Sequence, residues 1–102
     1  MMLEGYLYTV LEKSEGRALI KTLPDSPVYK AHFPGFPITP GVCLVRMATE
    51  LMGKQLTGAK DIKFLTPVLP DSLIRFEWTQ EDAVTVFLAD GTLCVEMNLM
   101  CR

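Results

Sequence analysis

Residues 32–46 read HFPGFPITPGVCLVR. The stretch holds the chain's only histidine, three of its seven prolines and two of its seven glycines, and it runs straight into apolar sequence. Each proline fixes φ near about −65° and removes a backbone donor, so the chain is stiffened around His32. Thr39-Pro40-Gly41 reads as a helix start. Thr39 offers a capping hydroxyl, and Pro40 fits the first helical position, where a missing N–H is no loss. The expected helix runs from Pro40 to about Gln55. Its apolar residues Val42, Leu44, Val45, Met47, Ala48, Leu51 and Met52, with Cys43 beside them, cover more than one stripe of the helix, which predicts burial. Arg46, Thr49, Glu50 and Lys54 form the remaining polar line. Arg46 and Glu50 read as an i, i+4 ion pair in the weaker orientation, contributing only tenths of a kcal/mol.

Outward from the helix the periodicity changes to two. Residues 5–12 and 16–23 read as strands joined by a KSEG hairpin loop, with Gly16 supplying the permissive backbone. PDSP, 24–27, reads as a turn. Beyond Gly58, residues 59–65, 71–80, 83–89 and 92–100 are strand candidates, and Asp90-Gly91 is a strong hairpin signal. Pro67 and Pro70 make TPVLP a crossover or an edge. The order β-β-α-β-β-β-β predicts an α+β fold, an antiparallel sheet curled around one helix. A single sheet has edges to manage, so a dimer or larger assembly is expected.

The 102 residues suit one domain, 1–102, with a core of its own. A net charge of −2 opposes a general nucleic-acid binder. The N-terminus lacks the pattern of a signal peptide, and no apolar run reaches the ~20 residues of a membrane span. Cys43, Cys94 and Cys101 are odd in number and lack metal-site spacing, so a cytoplasmic location with reduced thiols is expected. Cys43 reads as helix packing, not as a nucleophile paired with His32. The six methionines and nine aromatic residues read as core.

HFPGFPITPGV, the helix after it and IKFLTPVLPDSL (62–73) together resemble the hotdog-fold 3-hydroxyacyl-[acyl-carrier-protein] dehydratases. The family pattern is a His-Phe-Pro-Gly turn, a proline two residues on, Pro-Gly opening the central helix, and a downstream Phe-x-x-Pro-Val-x-Pro strand and turn. Phe64, Pro67, Val68, Pro70 and Asp71 stand in that downstream arrangement. The resemblance covers nearly the whole chain. It implies a dimer whose sheets join edge to edge, with composite sites at the interface, and an acyl carrier protein or acyl thioester as partner. It implies no metal or redox cofactor.

Dehydration of a 3-hydroxyacyl thioester needs a base for the α-proton, a group to protonate or hold the departing hydroxyl, and donors for the enolate-like oxygen. By resemblance His32 is the base and the Gly41 N–H the carbonyl donor, at the positive end of the helix. Val42, Val45 and Phe33 are expected to line an acyl tunnel along the helix. The family's helix carboxylate falls, fourteen residues after the histidine, on Arg46, which holds an oxygen but gives up no proton at neutral pH. Three routes stay open. His32 takes and returns the proton itself; Glu50 acts as the acid; or a homologous chain in a heterodimer supplies it. A thioesterase using Glu50, and a non-enzymatic acyl-binding subunit, are the rival readings. Lys54, Lys60, Lys63 and Arg75 read as a solvated face, with an acidic carrier protein as the alternative.

Overall fold

The structure, a computed structural model, describes residues 2–31, 35 and 37–102. Alternation of buried and open side chains builds its sheet. In β2 (Arg17–Thr22), Ala18, Ile20 and Thr22 point inward while Arg17, Leu19 and Lys21 face out. Ile74 and Phe76 repeat this in β4 (Leu73–Trp78), and Val84 and Val86 in β5 (Ala83–Leu88). With β1 (Tyr8–Ser14), β3 (Leu56–Phe64) and β6 (Leu93–Cys101), they form one antiparallel sheet among the described residues, in the order β1-β2-β4-β5-β6-β3. Cys94 and Val95 are both buried although adjacent, because the β5–β6 register slips between Val86 and Phe87 and the ladder passes over Cys94. The Asp90-Gly91 turn is as expected: Gly91 takes φ 92° and donates to the Leu88 carbonyl, and the Asp90 carboxylate accepts from the Thr92 N–H and hydroxyl. The expected KSEG loop tightens to Glu15-Gly16, and the first strand starts at Tyr8, behind a turn over residues 5–7.

Two helices lie against this sheet. PDSP is only partly a turn, since residues 27–31 make a one-turn helix, α1 (Pro27–Ala31). Ser26 starts it: its Oγ accepts the Val28 N–H at 3.3 Å, and Pro27 occupies the first position. The main helix, α2 (Gly41–Met52), is shorter than expected. Its N-cap is Pro40, not Thr39, and no side chain caps it; the Thr39 hydroxyl is bonded to Tyr29 instead. Gly53 ends it in the left-handed region, φ 67°, where its N–H and that of Lys54 close onto the Glu50 and Thr49 carbonyls.

The core joins Leu44, Met47, Ala48 and Leu51 of α2 to Ile20, Ile74, Phe76, Val84, Val86 and Met97 of the sheet. The expectation of a helix buried around its circumference does not hold in the single chain. Val42 is 78% exposed and Val45 half-buried, so α2 shows the solvent an apolar strip beside Arg46. The expected polar line is also broken. Thr49 is buried with its hydroxyl on the Arg46 carbonyl, and the Glu50 side chain is only 7% exposed.

Candidate active site

Val42, Val45, Arg46, Thr49 and Glu50 recur at helical spacing and share one face of α2. With Met2 and Leu56 they line an open groove of about 440 Å³. Three of the expected site residues, Val42, Val45 and Arg46, therefore meet on one surface. The expected tunnel lining along α2 is, in the single chain, the wall of this groove.

Glu50 governs the groove's electrostatics. Its Oε2 accepts the Leu3 N–H at 2.7 Å and lies 3.4 Å from the Arg46 Nε. Its Oε1 accepts the Glu4 N–H at 3.1 Å and the Tyr8 hydroxyl at 2.9 Å. A carboxylate taken out of water needs such a set of donors. Burial, then the hydrogen bond to Glu50 and its charge, hold the Tyr8 phenol well above its ordinary pKa, so it stays a donor. The expected Arg46–Glu50 ion pair is present, and the Arg46 side chain is 54% exposed. It lines the groove while its Nε leans on Glu50.

Gly41 lies elsewhere. It opens α2 inside a cleft of about 360 Å³ shared with Ile38, Thr39, Leu44, Phe64, Pro67 and Val68. A Cβ at Gly41 would stand 2.5 Å from the Phe64 ring, so in the single chain the close approach that this glycine permits is used by β3. The Gly41 N–H belongs to the first turn, where donors have no partner within the helix. His32 and Phe33 lie outside the described residues.

Two features escaped the sequence reading. Glu50 anchors residues 3, 4 and 8, which are 42 to 47 positions away, so no local pattern announces it. Tyr29 and Thr39 share a buried hydrogen bond across ten positions. Of the basic residues, Lys54 pairs with Asp82, while Arg75 pairs with Glu77 and stacks on Phe87 at 4.6 Å. Among the described residues no helix is long and apolar enough to cross a membrane.

A six-stranded antiparallel sheet around one long helix, with a glycine-opened helix start beside a cleft, defines a hotdog-fold protein. The family profile described as ApeI dehydratase matches residues 10–97, and the chain belongs to this ApeI-like dehydratase family. A 3-hydroxyacyl-[acyl-carrier-protein] dehydratase FabZ of Cronobacter sakazakii is 32% identical over 117 aligned positions, which take in 90% of this chain and 78% of that protein. The alignment is longer than this chain's 102 residues, so the relative carries insertions against it. Among solved structures, the dehydratase heterocomplex ApeI:P of Xenorhabdus doucetiae superposes with a TM-score of 0.67 at 19% identity, covering 91% of this chain and 94% of that one. A hypothetical thioesterase of Streptococcus pneumoniae, solved with coenzyme A, gives 0.58 at 12% identity, covering 93% and 90%, a likeness of fold alone. The expected hotdog fold and dehydratase family are thus both borne out.

Proposed function

We propose that this chain is a dehydratase subunit that removes water from a 3-hydroxyacyl thioester carried on an acyl carrier protein, giving the trans-2-enoyl thioester. The observation that carries the reading is the family match over residues 10–97, which spans the His-Phe-Pro-Gly sequence and the Pro-Gly that opens α2. His32 takes the α-proton as the C–H bond breaks. The electron pair forms the new double bond, and the bond from C3 to oxygen breaks. The Gly41 N–H holds the charge that gathers on the thioester oxygen. Where Arg46 faces the departing hydroxyl it can hold the oxygen but gives no proton, and the hydroxyl leaves as water only once it gains one. Phe33, Val42 and Val45 contact the acyl chain. Residues 1–102 work as one hotdog domain, in the cytoplasm, with the free thiols of Cys43, Cys94 and Cys101 reduced and no metal or redox cofactor.

The proton for the leaving oxygen comes from a homologous chain. Glu50 is the only carboxylate on α2, and its oxygens are already engaged by two backbone N–H groups, Tyr8 and Arg46. Moving it to the reaction would strip all four. A partner with a carboxylate where this chain has Arg46 completes the site; the similar solved structure ApeI:P is itself a dehydratase heterocomplex.

Enoyl formation, followed by ultraviolet absorbance, tests this. The pure chain is expected to be slow, and mixing with a homologous dehydratase that carries the acid should raise turnover about a hundredfold. Arg46→Glu should restore activity to the pure chain, since the new carboxylate sits one turn from Glu50 and the like charge raises its pKa toward that of an acid. Full activity of the pure wild type, unchanged on mixing, sinks the two-chain reading. Thioester hydrolysis without enoyl product replaces the dehydratase reading by the thioesterase.

A further inference from the structure

Phe64 is the last residue of β3 and the largest side chain lining the cleft at the start of α2, yet it is 55% exposed. Its ring meets the helix end-on. A Cβ at Gly41 would lie 2.5 Å from the Phe64 Cζ, and 3.0 and 3.2 Å from its two Cε atoms. These are the ring atoms farthest from the backbone. The Cα–Cβ bonds of a helix lean toward its N-terminus, the direction in which the unpaired N–H groups of the first turn also point. The ring tip therefore stands on the side from which an acceptor would approach the Gly41 N–H. An aromatic edge carries partial positive charge, so the contact fills that approach and offers the donor nothing.

The backbone around the cleft is tied down. Leu65 and Thr66, which follow the ring, both donate to the Cys94 carbonyl, at 2.8 and 3.2 Å. Thr39 and Val68, also in the lining, are joined by a bond of 2.7 Å from the Thr39 N–H to the Val68 carbonyl. Widening the cleft by moving its backbone breaks these bonds. Turning Phe64 about its own side-chain torsions breaks none of them and carries the ring toward solvent, to which it is already half open.

We infer that Phe64 is a side-chain stopper over the start of α2: a thioester carbonyl reaches the Gly41 N–H only when the ring has turned aside. The inference rests on the reading of the Gly41 N–H as the carbonyl donor. It makes Phe64 a determinant of thioester affinity. A ring that covers Gly41 in about nine molecules of ten leaves about a tenth competent, which weakens apparent binding about tenfold.

Gly35 and Gly41 are the two glycines that follow a proline. Carbonyl-labelled proline with nitrogen-labelled glycine therefore gives their two amide signals alone, and Pro34→Ala removes that of Gly35. Labelling only this chain keeps the signals its own in the active assembly. Phe64→Ala and Phe64→Leu both end short of the ring tip, and loss of a half-exposed side chain leaves the core filled. The probe is a 3-hydroxyhexanoyl pantetheine with an amide in place of the thioester, which keeps the carbonyl acceptor. Removing the ring should shift the Gly41 signal before any probe is added. The probe should then move that signal in wild type, and the same movement should need about fivefold to tenfold less probe in both variants. A Gly41 signal that stays put in the probe-free variants overturns the contact. A shifted signal with equal half-saturation in all three proteins overturns the stopper and leaves the donor in place. A Gly41 signal that excess probe moves in none of the proteins counts against the donor reading, and the stopper falls with it.

Discussion

His32→Ala in the active assembly is expected to lower enoyl formation by about a hundredfold or more, the range a general base contributes. The loss should fall on kcat, because the acyl chain and carrier are held by other groups. A base must be neutral to accept a proton. Wild-type kcat/KM should therefore fall in acid, and His32→Ala should lack that dependence. His32 is the only histidine in this chain, so the variant removes every imidazole that this chain contributes. Turnover by His32→Ala within about twofold of wild type removes the base from the scheme. The prolines at 34, 37 and 40 would then be loop architecture only.

Glu50→Ala is expected to be the most destabilising single change on α2. It leaves the Leu3 and Glu4 N–H groups and the fully buried Tyr8 hydroxyl without their acceptor, and it removes the Arg46–Glu50 ion pair. An abandoned buried donor costs about 1–3 kcal/mol, so the sum reaches about 2–4 kcal/mol after relaxation. In a chain of this size that lowers the melting temperature by about 10 °C or more. Glu50→Gln keeps one acceptor oxygen and should lose roughly half as much. Thermal unfolding followed by circular dichroism separates the three proteins. A Glu50→Ala melt within about 2 °C of wild type would show the carboxylate to be structurally idle and return it to the thioesterase reading as a spare acid.

The sheet was legible because two-residue alternation is a local signal. Ile74 and Phe76, or Val84 and Val86, announce their face without reference to anything distant. Asp90-Gly91 was legible for a similar reason, as backbone conformation is set within a residue or two, whereas the expected helix ran on past Gly53, which ends it. Two of the chain's three Ser/Thr-Pro pairs show where such signals stop. Ser26-Pro27 opens a helix with the serine as its cap, whereas Thr39-Pro40 has the same chemistry but lends its hydroxyl to Tyr29. Only a contact ten residues away distinguishes them. Likewise, the spacing of Arg46 and Glu50 gave their ion pair, but not the N-terminal segment that surrounds the carboxylate. The apolar strip at Val42 and Val45 read as core because composition cannot tell a sheet from a partner chain as the surface that covers it.

The strand order has a consequence for the chain as it leaves the ribosome. β1 and β2 are neighbours both in sequence and in the sheet, and β4, β5 and then β6 continue it in the order of the chain. β3 is made before three of these strands, yet its place is beside the last of them, β6. Until residues 93–101 have been made, Leu56–Phe64 is a strand without a neighbour, and α2 is roofed on one side only. Helix burial thus waits for late synthesis, leaving a long interval in which a half-built sheet exposes apolar surface to chaperones and to other nascent chains.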